Sequence, residues 1–224
     1  MKEKIIKANI PTIVASTFLK NFIYLLFVYF NFDTKVQILS AFIKPYLYFW
    51  RINEMNGIYL LLGTNLGNKK RNMQQCLKLI AEKMGDVMRC SALYKTAAWG
   101  VEDQDCFLNQ VVKITSDLSA TQLLDKIHHI EKTLGRVRKH KWHERVIDID
   151  ILYYKDEIIC EKQLTIPHPQ LHRRRFTLVP LCEIAPDEIH PKLKKTNKIL
   201  LEECSDALKV ERLSSTISTS KFRI

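Results

Sequence analysis

Residues 146–154 have the sequence Val-Ile-Asp-Ile-Asp-Ile-Leu-Tyr-Tyr, and this run predicts a β-strand. Its first residues alternate between apolar and acidic, which is the period of a strand with one apolar and one polar face. Asp148 and Asp150 therefore share a face, and the isoleucines between and beside them occupy the other. Residues two apart in a strand have α-carbons about 6.5–7 Å apart, so the two carboxylates can converge on one ligand.

The chain before this strand alternates between strand and helix patterns. An apolar strand ends at Gly63, and apolar residues at helical spacing then continue as far as Gly85. Ser119 is a good N-cap for a second helix, which Gly135 ends. The order β-α-β-β-α-β predicts a ferredoxin-like α/β (α+β) fold, an antiparallel sheet with both helices packed on one face. The other predicted strands are 58–62, 87–96 and 107–115, and the second helix runs from 119 to 134.

Beyond the fourth strand the sequence predicts a C-terminal helical extension. Residues 176–184 have a helical pattern despite Pro180, and residues 196–204 predict another helix. The tail from 214 to 224 is rich in Ser and Thr and has no apolar period, so we expect it to be disordered.

The first 54 residues differ in composition from the rest of the chain. All 6 glycines lie at or after Gly57, although a folded domain needs glycine in its turns and caps. The longest apolar run there, Phe22–Phe30, is too short to span a membrane, which takes about 20 residues. We interpret 1–54 as an extension outside the functional domain, 55–213. An over-extended gene start is the preferred explanation; a weak membrane-associating leader and a folded accessory segment are the alternatives.

Composition places the remainder among globular cytoplasmic proteins that bind an anion. The 224 residues carry a formal net charge of +11, with 35 Lys and Arg against 24 Asp and Glu. Such an excess suits nucleic acid, an acidic membrane surface or a phosphorylated small molecule. The 6 cysteines are spread singly, which excludes a disulfide framework and a zinc finger. No G-x-x-x-x-G-K-[ST] is present, so a P-loop enzyme is excluded.

Two basic clusters flank the acidic strand. Residues 136–145 contain seven basic or imidazole side chains, and His172-Arg173-Arg174-Arg175 follow His168. Taken alone, Asp148 and Asp150 could be the solvated face of a strand, and a basic loop could be merely solvated. Carboxylates between two cationic clusters, however, form the electrostatic pattern of a Mg²⁺-polyphosphate site.

A set of motifs recurs in order and at nearly constant spacing from about residue 57 to 190. The most specific part is R-x-x-D-x-D-I-L at 145–152 with the downstream P-H-P-x-x-x-x-R-x-F. The other stretches are 57–67, Tyr94-Lys95-Thr96, Phe107-Leu108-Asn109, Glu131, Gly135-Arg136-Val137-Arg138 and Trp142. With these motifs the sequence resembles the 2-amino-4-hydroxy-6-hydroxymethyldihydropteridine pyrophosphokinase family of folate biosynthesis.

The resemblance implies transfer of the β,γ-pyrophosphate of ATP to the 6-hydroxymethyl group of the dihydropterin, with release of AMP. It assigns Asp148 and Asp150 to two Mg²⁺ ions, and Arg136 and Arg145 to catalysis alongside them. ATP, the co-substrate, is expected to contact Glu131, Arg138, Lys141, His168 and Arg174. The pterin is expected to contact Thr96, Trp99, Phe107, Asn109, Trp142 and Phe176.

The chain departs from the family pattern at His143, Ala97-Ala98, Gln163 and Phe107, which puts turnover and nucleotide affinity in question rather than the reaction. A catalytically impaired pterin-binding relative is therefore one alternative. An RNA-binding ferredoxin-like module is another, although no RNP-type aromatic run is present. We expect a monomer with small-molecule partners, no nucleic acid and no stable membrane insertion.

Overall fold

The computed structural model describes residues 57–97, 105–136 and 145–214. The expectations for 1–54, for the tail beyond 214, and for Trp99, Arg138, Lys141, Trp142 and His143 lie outside the described residues. The elements in chain order are β1 (Ile58–Thr64), α1 (Lys69–Lys83), β2 (Asp86–Cys90), β3 (Tyr94–Thr96), β4 (Phe107–Thr115), α2 (Ala120–Thr133), β5 (Asp148–Tyr154), β6 (Ile159–Cys160), β7 (Thr165–Ile166), a 3₁₀ turn (Leu171–Arg173), α3 (Arg175–Ile184), α4 (Asn197–Glu202) and β8 (Val210–Arg212).

An antiparallel sheet forms the centre of this mixed α/β structure. Its strand order is β5-β1-β4-β3-β8, and β2 pairs with β4 beside β3. β1 pairs with β4 on one side and with β5 on the other, both antiparallel. The acidic strand predicted at 146–154 is thus an edge strand, beginning at Asp148.

The predicted strand 87–96 is two strands, β2 and β3, in the structure. The register against β4 shifts between Val87 and Arg89. Ser91 then occupies the gap, where its hydroxyl accepts from the Val111 N–H at 3.0 Å and its own N–H donates to the Val111 carbonyl at 2.9 Å. A serine hydroxyl therefore replaces a partner that a regular strand would supply, and both strands still pair with β4.

The helices pack on both faces of the sheet. The buried residues of α1 and α2 form one apolar cluster with Leu60 and Leu62 of β1. Leu178 and Leu181 of α3 pack with Tyr59 and Leu61 on the opposite face. The alternation along β1 explains the division, because neighbouring strand residues point to opposite faces. Among the described residues, no helix has the length and apolar character needed to cross a membrane.

The predicted helix ends are confirmed where the structure describes them. Ser119 accepts from the Gln122 N–H and forms a full capping box with it. Gly85 and Gly135 follow α1 and α2 with φ of 137° and 91°. Both predicted C-terminal helices are present, as α3 with Pro180 inside it and as α4. The edge strand β8, which pairs with β3, was not expected from the sequence.

Candidate active site

The candidate site lies on the α3 face of the sheet, at the end of β1. Gly63 pairs with Asn109 of β4 on one side and with Asp148 of β5 on the other. Directly opposed residues of paired strands point to the same face, so Asn109 and Asp148 share this face. With no side chain at Gly63, the Asn109 amide can lie close over the glycine, 3.1 Å from where a Cβ would be.

Two arginines neutralise the charge of Asp148. Arg136, just after α2, donates to one carboxylate oxygen, and Arg145, three residues before the aspartate, donates to the other. Arg136 also donates to the Glu131 carboxylate, which is 2% exposed and accepts from the Ile149 N–H at 3.1 Å. Ion pairs this poorly exposed are weakly screened by solvent, so the arginines are held firmly.

The surroundings of Asp150 disfavour its ionised form. Burial and the negative charge of Asp148 raise the pKa of Asp150 above its usual value, although Arg174 and Arg145 act in the opposite direction. Two carboxylates this close repel each other when both are ionised. A bound cation would relieve the repulsion and favour the doubly ionised state.

Asp148 and Asp150 suit Mg²⁺ in their chemistry. Mg²⁺ takes hard oxygen ligands and in nucleotide sites is held by one or two carboxylates together with substrate phosphates. In the described part of the chain, no group of three or more His, Cys, Asp or Glu side chains is placed to enclose a metal. The pair therefore fits a cation shared with the substrate.

His168 is held in a neutral form with a defined tautomer. Burial and the positive charge of Arg174 lower the pKa of His168 to about 4. Its Nδ1 accepts from the Gln170 N–H at 3.2 Å, so the proton resides on Nε2. The backbone N–H of His168 donates to the Leu152 carbonyl of β5 at 3.0 Å, which anchors the residue beside the acidic strand. His168 can thus donate one hydrogen bond to an oxygen without adding charge.

Arg174 and Phe176 lie at the start of α3. The Arg174 guanidinium is 5.7 Å from the centre of the Phe176 ring, a cation–π distance. Arg174 also contributes the largest cationic influence on Asp150. One short segment therefore brings a cation towards the carboxylates and a half-buried aromatic ring beside it.

The remaining predicted pterin residues lie on β3 and β4. Asn109 donates from Nδ2 to Thr96 Oγ1 at 2.8 Å, and both residues are 3% exposed. Thr96 pairs with Phe107 across the two strands, which puts the half-buried ring on the same face. A buried amide beside an aromatic ring suits a flat heterocycle with hydrogen-bonding edges.

The described members of the predicted site lie on or next to β3, β4, β5, β7 and the adjoining ends of α2 and α3. Glu131, which was expected to contact ATP, bonds to Arg136 and to the backbone of β5. Its contact with ATP stays a prediction. Asn65 and Asn72 were not expected in the site, although they hold residues 145 and 146. The signal that could have revealed them is the polar turn Gly63-Thr64-Asn65-Leu66-Gly67 directly after a buried strand.

Comparison with known proteins identifies the family. The family model for 7,8-dihydro-6-hydroxymethylpterin-pyrophosphokinase (HPPK) matches residues 59–186. A protein from Aquifex aeolicus named 2-amino-4-hydroxy-6-hydroxymethyldihydropteridine pyrophosphokinase is 42% identical over 144 residues, covering 64% of this chain and 89% of that protein. The protein of the same name from Bacillus subtilis is 39% identical over 132 residues, covering 58% and 79%.

A solved structure supports the fold. The HPPK-DHPS protein of Plasmodium falciparum matches with a TM-score of 0.54 at 19% identity, covering 66% of this chain. This chain spans only 43% of that longer protein. The family model covers more than half of the present chain, and its range contains every described site residue. The chain therefore belongs to the 7,8-dihydro-6-hydroxymethylpterin-pyrophosphokinase family.

Proposed function

We propose that Asp148 and Asp150 hold two Mg²⁺ ions against the phosphates of ATP while the protein carries out the reaction of its family. That reaction is pyrophosphoryl transfer in folate biosynthesis, so the chain is an enzyme, a diphosphotransferase. The observation that carries the metal proposal is the carboxylate pair on one sheet face, adjoined by the cations of Arg136, Arg145 and Arg174. When bound, the ions neutralise phosphate charge and hold the oxygens in place.

The proposed reaction is a displacement at phosphorus. The oxygen of the 6-hydroxymethyl group bonds to the β-phosphorus of ATP. The bond from that phosphorus to the oxygen bridging the α-phosphate breaks, AMP leaves with the bridging oxygen, and the hydroxyl proton is released. Such transfers depend on positioning and charge neutralisation rather than on a covalent enzyme intermediate.

Arg136 and Arg145 add to that neutralisation. Both donate to the Asp148 carboxylate. With Mg²⁺ held by this carboxylate, the two guanidinium groups would be available to bind phosphate oxygens bidentately. We assign Arg138, Lys141, His168 and Arg174 to ATP as well, His168 through its Nε2 proton. Glu131 then contributes to ATP binding by holding Arg136 through their hydrogen bond.

The pterin is proposed to occupy the β3–β4 side of Gly63. Asn109 and Thr96 offer the hydrogen-bonding edge, while Phe107 and Phe176 offer aromatic surfaces. Trp99 and Trp142 complete the proposed pocket from the sequence resemblance. Asn109 is fixed by its 2.8 Å bond to Thr96, which supports a preformed recognition edge.

The strand order supports a ferredoxin-like arrangement. Counting β2 and β3 as one broken strand, the order 4-1-3-2 follows from β5-β1-β4-β3, with α1 and α2 in one apolar cluster. We also propose 55–213 as the catalytic domain, since the family match falls inside it. A cytoplasmic monomer is the proposed form, and the six free thiols support the reducing compartment.

An assay of AMP release tests the function. Purified protein with ATP and Mg²⁺ is expected to form AMP only when 6-hydroxymethyl-7,8-dihydropterin is added. Asp148→Asn and Asp150→Asn should each lower turnover at least about 1000-fold, while Asp125→Asn, an exposed carboxylate on α2, should not. Pterin binding without AMP would indicate the impaired relative, and RNA binding without AMP the RNA module. Normal turnover in both site variants would refute the metal assignment.

A further inference from the structure

The turn that follows β1 is hydrogen-bonded to the backbone of Arg145. Asn65 Oδ1 accepts from the Arg145 N–H at 2.6 Å. In return, the Asn65 and Leu66 N–H groups donate to the Arg145 carbonyl at 3.1 and 3.2 Å. The backbone N–H and the carbonyl of Arg145 are thus both bound by a turn 80 residues earlier in the chain. This fixes the point at which the chain enters the segment leading to β5.

Asn72, in the first turns of α1, holds the next residue. Its Nδ2 donates to the Val146 carbonyl at 3.1 Å and to the Leu66 carbonyl at 2.9 Å. One side chain thereby ties the turn to the segment that the turn already grips. We call Asn65, Leu66 and Asn72 the arginine clamp. The clamp binds the backbone of residues 145 and 146, and the Arg145 guanidinium itself donates to Asp148.

Asn65 differs from its neighbour Asn68 in what its side chain binds. Asn65 is 1% exposed, its Oδ1 accepts from the Arg145 N–H, and its Nδ2 has no hydrogen-bond partner among the described residues. Asn68 is an exposed helix cap whose side chain accepts from the Arg71 N–H. The side-chain hydrogen bond that Asn65 makes in the described part of the chain is therefore directed at the backbone of Arg145.

We propose that Asn65 is a positioning residue that sets the location of the Arg145 guanidinium through the arginine clamp. The inference rests on the proposed function, in which Arg145 neutralises phosphate charge during transfer. The hydrogen bonds between Asn65 and Arg145 involve backbone atoms of Arg145, so Asn65 acts on the reaction through that residue. An amide suits the task because it accepts a hydrogen bond without charge. A carboxylate here would add a third negative group two residues beyond Gly63, which pairs with Asp148.

A double-mutant cycle between Asn65 and Arg145 tests the proposal. Asn65→Ala is expected to lower kcat by about 10- to 100-fold, the effect of a misplaced catalytic group, with KM for the pterin within about twofold. In an Arg145→Ala background, the same change should alter kcat by less than about twofold, because there is no guanidinium left to misplace. Asn68→Ala is the matched control in the same turn and should leave kcat within about twofold.

A second measurement needs no substrate. Amide hydrogen exchange of Arg145, followed by NMR, should accelerate at least about tenfold in Asn65→Ala and stay unchanged in Asn68→Ala. If Asn65→Ala does not fold, the same measurements are made on Asn72→Ala, which removes the hydrogen bond from Asn72 to the Val146 carbonyl. Independent, multiplicative losses in the cycle, or unchanged exchange at Arg145, would overturn the proposal. Full activity of Arg145→Ala alone would instead refute the proposed role of Arg145.

Discussion

Asn109 and Asp148 lie on opposite sides of Gly63, each directly paired with it in the sheet. Adjacent strands are about 4.8 Å apart, so the α-carbons of the two residues are separated by about 10 Å. The proposed pterin side and the proposed metal side of the site therefore meet across one glycine. A cross-strand relationship of this kind fixes the two halves relative to each other through backbone hydrogen bonds, not through flexible side chains.

Replacing Gly63 should damage pterin binding selectively. A Cβ at this position would lie 3.1 Å from Asn109 Oδ1, a contact tight enough to shift the amide. We expect Gly63→Ala to raise KM for the pterin about tenfold, with the affinity for ATP nearly unchanged. Gly67→Ala is the control: a Cβ there meets nothing within 4 Å, and its φ of 66° should cost about 1 kcal/mol of stability without moving KM. Equal pterin KM values for the two variants would contradict the steric explanation.

The bond between Thr96 and Asn109 yields a paired test. Thr96→Val removes the oxygen that accepts from Asn109 Nδ2 and leaves that buried donor unpaired. We expect a loss of about 1–3 kcal/mol in stability and a higher KM for the pterin. Thr96→Ser keeps the hydroxyl and should retain pterin affinity close to that of the parent protein. The readouts are thermal unfolding and pterin titration, and identical affinities for Val and Ser would show that the bond does not orient Asn109.

His168 should tolerate glutamine better than asparagine. The hydrogen-bond pattern places its proton on Nε2. Glutamine can place an N–H near Nε2, whereas asparagine imitates only the Nδ1 side that accepts from Gln170. We expect His168→Gln to weaken ATP binding less than about tenfold and His168→Asn to weaken it more. Calorimetric titration with a non-hydrolysable ATP analogue gives both values. The reverse order would mean that the bond to Gln170, not a donor from Nε2, is what the site requires.

Asp150→Asn should stabilise the empty protein while removing its activity. The pKa of Asp150 is raised by burial and by Asp148, so the folded state holds the proton more tightly than the unfolded chain. Ionising this group therefore lowers stability as pH rises above its usual value of 3.8. We expect a gain of about 1–2 kcal/mol at pH 8 that fades on acidification. Denaturant unfolding at several pH values measures it, and a gain independent of pH would contradict this origin.

The raised pKa of Glu188 predicts a second pH dependence of stability, which arises away from the site. Burial raises the pKa of Glu188 from 4.5 to about 7, despite the bond that Tyr59 Oη donates to it at 2.9 Å. Between these values the unfolded chain releases the proton and the folded protein retains it, so stability falls as pH rises through this window and stays level above it.

Glu188→Gln should remove that component. Its stability relative to the parent protein is expected to rise by about 2 kcal/mol between pH 4.5 and 7.5. Glu203→Gln, which alters an exposed ion pair with Lys195, serves as the control and should show little change. His190, whose pKa burial lowers to about 4, destabilises the fold towards acid pH in both proteins, so it cancels in the difference. A pH-independent difference between Glu188→Gln and its parent would refute the assignment.

The sequence by itself determined most of the helices and strands and the family to which the chain belongs. Alternation along 146–154 put Asp148 and Asp150 on one face, because the side-chain period of a strand is two. Ser119, Gly85 and Gly135 marked helix ends, because caps and positive φ are satisfied locally by a few residue types. The spaced motifs then sufficed to indicate the family, which the match over 59–186 confirms.

Tertiary structure alone decided how distant segments meet. At the break between β2 and β3, Ser91 bonds to Val111, 20 residues away. The hydrogen bond from the Ile149 N–H to Glu131 and the one from the Arg145 N–H to Asn65 likewise join segments that no local pattern connects. Local periodicity predicts on which face of a strand a side chain lies. Which residue it pairs with on the neighbouring strand follows only from the register of the sheet, because register is set by the packing of the whole domain.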